Sequence, residues 1–479
     1  MKRTTRRGLV LVCGLALLTM PAFAQKVEYG SKPEPQYSPA ELNERMLHRR
    51  AVEAAIWGLP IVSFDAMYQA MVRDAKGGYN QIGYWSRPSD WKNQTLTPNS
   101  ENLYVLFFTD TRKVGPLVLE IPAAGEAVLF GSLMDAWQVP LEDVGPAGAD
   151  AGKGGKYLWL PPNYNGEVPA GHLPLPSKTY QGYALLRAVP KSWRTEDMAM
   201  AVAYLKQLKL YPLSQAAQSP PTRFINLADI VFDGLPRYDV RFFESLNRMV
   251  QIEPVQEKDK QMMNILRYIG IEKDKPFKPD AKTGRILASS VREARDWIDV
   301  RTPPQPYFPR KQWLTPGEPI SVETGATFET AEYFGTDARA STYRVAFAIP
   351  KKMGAGSFYL FGWYDKAGQL LQGANTYHLT VPPNVPVRQF WALDVYDNAT
   401  GAFIRESPRV SLCSFDETVE KNADGSVNIY LGPKAPAGKE ANWIPTRAGA
   451  GFFLIFRLYG PERPLFDKTW QLPDIEKVK

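Results

Sequence analysis

Four acidic side chains lie at the ends of, or inside, segments rich in aromatic and β-branched residues. Glu101 lies in "LTPNSENLYVLFFTD", directly before an apolar run, and Asp135 ends the apolar run of "AVLFGSLMDAW". Asp365 precedes a glycine in "WYDKAGQ", and Asp394 interrupts the apolar stretch "QFWALDVYD". A carboxylate at the mouth of a buried strand is partly desolvated, so it either has a partner or has a shifted pKa. These four residues are our candidate catalytic acids and bases.

A pair of such carboxylates could act as general acid and base in hydrolysis, as in glycosidases, where the two groups lie about 5–10 Å apart. Glu101 and Asp135 would form such a pair if their strands were adjacent. The alternatives are structural. Asp135 then holds a loop, Asp365 forms a hairpin turn, and Asp394 neutralises an arginine such as Arg388 or Arg457.

A second group of side chains favours ligand binding. Asn99 and Tyr104 flank Glu101, and Asn442 and Trp443 lie together in "EANWIPT". An exposed tryptophan beside amide groups can hold a sugar face, although a tryptophan that covers the core is equally consistent with the pattern. Asn99 can also simply close a turn through backbone N–H groups. His378 lies in "NTYHLTV", where a structural role is the simpler interpretation.

The composition excludes several kinds of metal and cofactor site. Cys413 is the only cysteine after residue 24, and the three histidines (His48, His172 and His378) are scattered. Thiolate zinc sites need several cysteines, and neither a calcium-binding loop motif nor a phosphate-binding glycine loop is present. We therefore expect no metal and no cofactor.

The first residues predict export. Lys2, Arg3, Arg6 and Arg7 precede an apolar run over residues 9–20 and the small-residue site Ala22-Phe23-Ala24. This is the pattern of a cleavable signal peptide over residues 1–24, and the paired arginines also resemble a twin-arginine leader. Since no later apolar run is long enough to span a membrane, we expect a periplasmic protein.

Removing the leader changes the charge. The full chain carries +7, and the leader contains four basic residues and no acids, which leaves +3. This small excess does not favour nucleic acid or an anionic membrane as a partner. A small molecule or glycan is the expected partner, and the oligomeric state is not indicated.

The spacing of apolar residues predicts the elements that position these groups. Ser38-Pro39-Ala40-Glu41 is a capping box that begins a helix, and Pro60 is expected to kink or divide that helix. Strands are predicted over 103–109, 117–121, 127–133 and 183–189, and helices over 195–210, 241–250, 257–269 and 283–298. From about residue 341 strands return, beginning with "TYRVAFAIP".

These elements predict a mainly β protein with helical segments (α+β), built from two jelly-roll-like β-sandwich lobes and a helical connector. The predicted boundaries are residues 1–24 for the signal peptide and 38–190 for an amino-terminal domain with a helical entry. The helical connector then covers 191–310, and a carboxy-terminal β-sandwich covers 311–479.

The same stretches resemble a known pairing of domains. "AAIWGLPIV", "TLTPNSENLY" and "GPLVLEIP" are similar to the domain of unknown function numbered 1254. "YDKAGQLLQGANTYHLTVPPNVPVRQFWALDVYD", "DGSVNIYLGPKAPAGKEANWIPT" and "WQLPDI" are similar to the one numbered 1214. The first family has a pattern close to T-P-N-x-D-T-x-Y, in which Glu101 and Asn102 here replace the aspartate and the threonine. The resemblance implies exported, β-rich, two-lobed proteins and no particular reaction.

Two functions follow from the sequence. The first is carboxylate-dependent hydrolysis of a glycan or another small envelope molecule, which requires two of the four acids in one cleft. The second is non-catalytic binding of a ligand or carbohydrate, which requires an apolar pocket whose acids are each tied to arginine or backbone.

Overall fold

The structure, a computed structural model, describes residues 36–125, 127–301, 305–315, 327–351 and 356–478. The chain divides into a short unit, Met1–Asn43, and a large unit, Glu44–Lys479. In the short unit the predicted capping box is confirmed, since the backbone N and Oγ of Ser38 both donate to Glu41 Oε2 at 2.8 Å. The predicted signal peptide lies outside the described residues.

Helices account for much of the first two thirds of the chain. Eight α-helices are found in the described residues: α1 Pro39–Arg73, α2 Thr111–Val114, α3 Thr195–Leu205, α4 Val240–Ile252, α5 Lys260–Tyr268, α6 Ala281–Arg301, α7 Thr336–Val345 and α8 Arg463–Phe466. None of them is both long and apolar enough to cross a bilayer.

Strands occur in two series, one on each side of helices α4 to α6. The first series is β1 Ile82–Tyr84, β2 Asn93–Gln94, β3 Leu103–Asp110, β4 Leu117–Ile121, β5 Ala127–Asp135, β6 Pro140–Val144, β7 Gly155–Leu160, β8 His172–Pro176, β9 Gln181–Pro190, β10 Lys209–Pro212, β11 Phe224–Asn226 and β12 Phe232–Asp233. The second is β13 Gln305–Pro306, β14 Leu314–Thr315, β15 Ser357–Gly362, β16 Tyr377–Val381, β17 Val387–Asp397, β18 Ser411–Cys413, β19 Val427–Gly432, β20 Trp443–Pro445, β21 Phe452–Pro461 and β22 Glu476–Lys477.

The first series forms two main sheets that share a core. The amino-terminal inner sheet has the order β11-β1-β3-β9-β5-β6, and a second sheet has the order β10-β4-β7-β8. Alternate residues of β3, such as Val105 and Phe107, pack with Leu119 and Trp159 of the second sheet. The intervening residues of β3 point to the opposite face, because side chains alternate along a strand.

That opposite face is partly covered by helices. Leu106 and Phe108 of β3 belong to one buried cluster with Phe64 of α1, Phe243 of α4 and Val291 of α6. The amino-terminal inner sheet is therefore buried on both faces where the helices cover it.

The second series repeats the arrangement of two sheets. The carboxy-terminal inner sheet has the order β13-β14-β15-β21-β17-β18, and its partner sheet has the order β20-β19-β16-β22. Leu393 of β17 and Phe456 of β21 pack with Leu379 of β16 and Ile429 of β19. The predicted mixed α+β class with sheet-rich lobes is confirmed, whereas the domain boundaries drawn from the sequence stay a prediction.

Two local predictions were wrong, and a third is narrowed. Of the kink or division predicted at Pro60, the division does not occur, since helix α1 runs unbroken through this residue. The segment around Pro60 is buried, and its carbonyl accepts a hydrogen bond from Gln138 Nε2 at 2.7 Å. Tertiary packing there offsets the roughly 3 kcal/mol that a proline costs inside a helix. The predicted strand "TYRVAFAIP" begins inside helix α7, and the helix predicted over 195–210 ends at Leu205, where β10 follows. In α7, the buried side chains Arg339, Ala340 and Tyr343 outweigh the strand preference of its β-branched residues.

Two glycines make a matched test of this packing. A Cβ on Gly182 of β9 would lie 2.6 Å from the carbonyl oxygen of Met134, whereas one on Gly284 of α6 would meet no atom within 4 Å. We expect G182A to lower the free energy of unfolding by about 1 to 3 kcal/mol through overpacking. We expect G284A to raise it by about 0.5 to 1 kcal/mol through helix propensity. Urea denaturation measures the free energy of unfolding of both variants. Changes of the same sign in G182A and G284A would contradict the described packing around β9.

Candidate functional site

A cavity of about 1310 Å³ lies between the two inner sheets. Its walls include Tyr104 of β3 and Leu185 of β9 on one side, and Tyr359 of β15 and Phe453 of β21 on the other. Most of the lining side chains are aromatic or aliphatic. The volume exceeds the 300–1,000 Å³ typical of small-molecule pockets. We call this space the central cavity.

Arg457 of β21 lies in the wall of the central cavity and organises a buried polar cluster behind it. Its Nε donates to Asp394 Oδ2 at 2.7 Å, and its Nη2 donates to Tyr396 Oη at 2.7 Å and to the carbonyl of Thr97 at 2.8 Å. Asp394 is fully buried and Arg457 is 3% exposed. Of the two arginines that the sequence offered as partners for Asp394, the structure therefore selects Arg457.

Glu101 joins the same cluster from the amino-terminal side. Its Oε1 accepts a hydrogen bond from Ser100 Oγ at 2.9 Å, and Ser100 Oγ also hydrogen-bonds Ser411 Oγ, next to Asp394 across β17 and β18. Glu101 Oε2 and Asp394 Oδ1 have no hydrogen-bond partner among the described residues. We call Arg457, Asp394, Glu101, Ser100 and Tyr396 the Arg457 cluster.

One guanidinium cannot neutralise two carboxylates. Burial raises the pKa of Asp394 well above its usual value, and the neighbouring Glu101 carboxyl raises it further, against the lowering effect of Arg457. Burial also raises the pKa of Glu101, while Arg457 and Ser100 lower it. The two carboxyls therefore oppose each other's ionisation, because like charges that share a buried site disfavour joint ionisation.

The loop before β3 connects the Arg457 cluster to the cavity wall. Asn99 is fully buried, its Nδ2 donates to Tyr459 Oη at 3.0 Å, and its backbone N donates to Tyr104 Oη at 3.1 Å. Thr97 has φ of 38°, which is strained for a β-branched residue. It is held by Gly401, whose carbonyl accepts the Thr97 N–H at 2.7 Å, and by Arg457. Contacts with the second series of strands therefore fix this loop.

Asp135 lies apart from Glu101. Strand β9 separates β3 from β5, and the register places Asp135 level with Thr109, at the far end of β3 from Glu101. Eight residues of extended chain span roughly 26 Å. Asp135 Oδ1 accepts the backbone N–H of Val139 at 2.8 Å and so holds the turn after β5. The structure therefore does not form the Glu101–Asp135 pair that adjacent strands would have given.

Asp365 also holds a turn. Its Oδ1 accepts the backbone N–H groups of Ala367 at 2.9 Å and Gln369 at 3.0 Å, and Gly368 completes the turn with φ of 76°. Asp365 does not line the central cavity. Its geometry is that of the hairpin alternative stated from the sequence.

The predicted ligand-binding residues divide into two groups. Tyr104 lines the central cavity and Asn99 bonds its wall. Asn442 instead joins loops, with its Oδ1 accepting the Glu420 N–H at 2.9 Å, and Trp443 Nε1 donates to the carbonyl of Gly432 at 2.9 Å. His378 lies on β16 with its ring 5.1 Å from that of Tyr430. These last three predicted residues are not among those that line the cavity.

Sequence reasoning missed the role of Arg187 as a cavity-wall residue, and it named Arg457 only as a partner for Asp394. Each is a lone charge in an otherwise apolar strand, in "YALLRAV" and "GFFLIFRLY". The same signal singled out Asp394, and applying it to cations would have found both arginines.

Within the described residues, no three His, Cys, Asp or Glu side chains are grouped so that they could hold a metal ion. The expectation of no metal and no cofactor stays a prediction.

Comparison with known proteins finds a family model for each of two stretches of the chain. Residues 79–212 match the family model "Protein of unknown function (DUF1254)", and residues 356–463 match "Protein of unknown function (DUF1214)". The predicted pairing is confirmed, and these matches leave export as a prediction. No curated protein matches the chain.

Two solved structures are similar to this one. The VPA0106 protein from Vibrio parahaemolyticus is 19% identical over 90% of this chain and 100% of its own, with a TM-score of 0.54. An uncharacterised protein from Burkholderia cenocepacia is 13% identical over 92% of this chain and 96% of its own, with a TM-score of 0.40. The first likeness supports the fold, and the function has to be argued from the site.

Replacing Arg457 tests the Arg457 cluster. R457L leaves two buried carboxyls without their counter-ion, and we expect the free energy of unfolding to fall by about 3 to 5 kcal/mol. R463L is the control, because the Arg463 side chain is 92% exposed and its ion pair with Asp467 spans 3.7 Å. For that control, urea denaturation should show a loss of unfolding free energy of less than about 1 kcal/mol. Equal losses in the two variants would contradict the role of Arg457.

The buried carboxyl of Asp135 predicts how the free energy of unfolding depends on pH. Burial raises its pKa from 3.8 to about 6, against the backbone N–H groups and nearby cations that lower it. Between pH 3.8 and about 6, Asp135 therefore holds a proton in the native state that it has released in the unfolded chain. The resulting stabilisation is complete below pH 3.8 and is lost as the pH rises through about 6. In D135N, whose amide resembles the protonated acid, this loss of up to about 3 kcal/mol should be absent. The measurement is the free energy of unfolding of both proteins at about pH 5 and pH 8. A change between these two pH values that is equal in D135N and wild type would contradict the raised pKa of Asp135.

Proposed function

We propose that this chain, which belongs to the proteins that pair a DUF1254 domain with a DUF1214 domain, binds a largely apolar small molecule in the central cavity. The observation that carries the proposal is the cavity of about 1310 Å³ with its mainly apolar lining. Large apolar cavities with a few polar groups are the usual form of small-molecule sites.

The composition of the walls supports this proposal. Tyr104, Phe130 and Leu185 come from the segment that matches the first family, and Tyr359 and Tyr459 come from the segment that matches the second. A ligand held between these walls would contact both domains at once. Binding in this cavity would therefore give the pairing of the two domains a physical purpose.

The positions of the acids also favour binding over hydrolysis. None of the four candidate acids lines the central cavity. Asp135 and Asp365 accept backbone N–H groups, Asp394 pairs with Arg457, and Glu101 accepts from Ser100. A general acid or base must reach the substrate directly or through one water, and burial behind Arg457 places Glu101 and Asp394 away from a ligand in the cavity.

Carboxylate-dependent hydrolysis of a glycan or another small envelope molecule is the second candidate. The observation that favours it is the presence of Glu101 and Asp394 in one cluster, both with raised pKa. It requires the pair to become accessible to substrate, and the double variant E101Q/D394N would then abolish turnover while binding in the cavity persists. For either function we place the protein in the periplasm, as the predicted leader implies.

Binding can be tested with the neutral fluorescent dye phenylnaphthylamine, which needs an apolar site. We expect saturable binding to the wild type and a dissociation constant raised about tenfold in V128W, because a bulky ring in the cavity wall costs about 1.4 kcal/mol of packing energy. Val128 lines the cavity and is 38% exposed. The matched control is V231W, since Val231 is 39% exposed and lies outside the lining. The proposal would be overturned if the dye does not bind the wild type, or if both substitutions weaken its binding equally.

A further inference from the structure

We infer that the molecule bound in the central cavity is an anionic amphiphile whose carboxylate or phosphate headgroup is held by Arg187. This inference rests on the proposed function and adds to it the chemical class of the ligand. It is carried by an arginine in the apolar wall that has no counter-ion among the residues that the structure describes.

Arg187 lies on β9 between two aromatic neighbours. Its cross-strand partners are Tyr104 on β3 and Phe130 on β5, and all three residues line the cavity. The guanidinium carbon lies 5.3 Å from the ring centre of Tyr104 and 5.9 Å from that of Phe130. These cation–π contacts position the planar group and exclude water from its sides.

The arginines of the lining differ in their partners. Arg344 pairs with Asp299 at 2.9 Å, and Arg457 pairs with Asp394 at 2.7 Å. Within the described part of the chain, Arg187 has no carboxylate at ion-pair distance, and its buried Nε has no hydrogen-bond partner. Its side chain does interact with the hydroxyl of Tyr104 and with Tyr359 and Tyr459, but these are neutral groups. A partly desolvated cation without an acidic partner keeps an uncompensated charge, which a bound anion would compensate.

The other charged residues of the lining do not neutralise the positive charge of Arg187. Asp299 forms an ion pair with Arg344. Asp143 accepts hydrogen bonds from Ser132 Oγ at 2.8 Å and from the backbone N of Lys351 at 2.9 Å. Arg388 is exposed on the lining and has no ion pair with the described residues. It therefore adds positive charge at a solvent-accessible part of the wall, which attracts anions before they bind.

The chemistry of the wall specifies both ends of the ligand. A guanidinium offers two parallel N–H groups that match a carboxylate or a phosphate. The aromatic and aliphatic lining around it suits a hydrocarbon or aromatic body rather than a polyhydroxylated sugar. A molecule with one acidic group and an apolar body satisfies both requirements.

The test is displacement of phenylnaphthylamine at pH 8 by three compounds that share a dodecyl chain: dodecanoate, dodecyl phosphate and dodecanol. On the wild type we expect at least one of the two anions to displace the dye at a concentration about ten- to a hundredfold lower than dodecanol, as a charge-assisted hydrogen bond provides. The anion that is more effective identifies the headgroup class.

Variants assign the preference to Arg187. R187Q should reduce the advantage of the anions over dodecanol to less than about threefold while dye binding persists, and R187K should retain an intermediate part of it. R463Q removes the same charge from a side chain that is 92% exposed, and it should leave the preference unchanged.

The outcomes separate the two proposals. Failure of the dye to bind the wild type overturns the proposed function. Dye binding with equal displacement by dodecanol and both anions overturns the anionic ligand and leaves the proposed function standing. A preference for anions that persists in folded R187Q, or that R463Q removes equally, overturns the role of Arg187. If R187Q does not fold, R187K with an unchanged preference for the best anion overturns the bidentate contact.

Discussion

The buried guanidinium of Arg457 is the constraint on which the meeting of the two inner sheets depends. It lies on a strand of the carboxy-terminal inner sheet and donates to the carbonyl of Thr97, in the loop that leads into the amino-terminal inner sheet. Its charge is compensated by Asp394 on the neighbouring strand. A buried cation needs such compensation, so the loop, the ion pair and the cavity wall form one unit.

Asp394 is paired with this arginine, and Glu101 joins the same cluster through Ser100. Two carboxyls in a dry interior repel each other, and their raised pKa values show that the cluster favours retaining a proton. Their burial behind the wall leaves the surface of the cavity mainly apolar. The same arrangement therefore connects the two domains and shapes the space between them.

The arginines of the cavity show how context gives one residue type different roles. Arg457 and Arg344 are paired with carboxylates and belong to the structure of the wall. Arg187 is flanked by aromatic rings and lacks an acidic partner among the described residues. The difference lies in what faces each side chain across the sheets.

The sequence by itself determined the class of fold, the pairing of the two domains and most of the strands, because alternation and capping are local patterns. It also singled out Asp394, since a charge inside an apolar strand stands out without any coordinates. Asn442 and Trp443, which it proposed as ligand-binding residues, do not line the cavity. A tryptophan beside an amide has the same local pattern in a site and in a loop. Only the tertiary structure decided that β9 separates β3 from β5, which removes Asp135 from Glu101. It also decided that Arg187, Tyr359 and Tyr459 line one cavity. Strand order and the approach of two distant sheets depend on contacts between residues far apart in the chain, and local patterns do not record them.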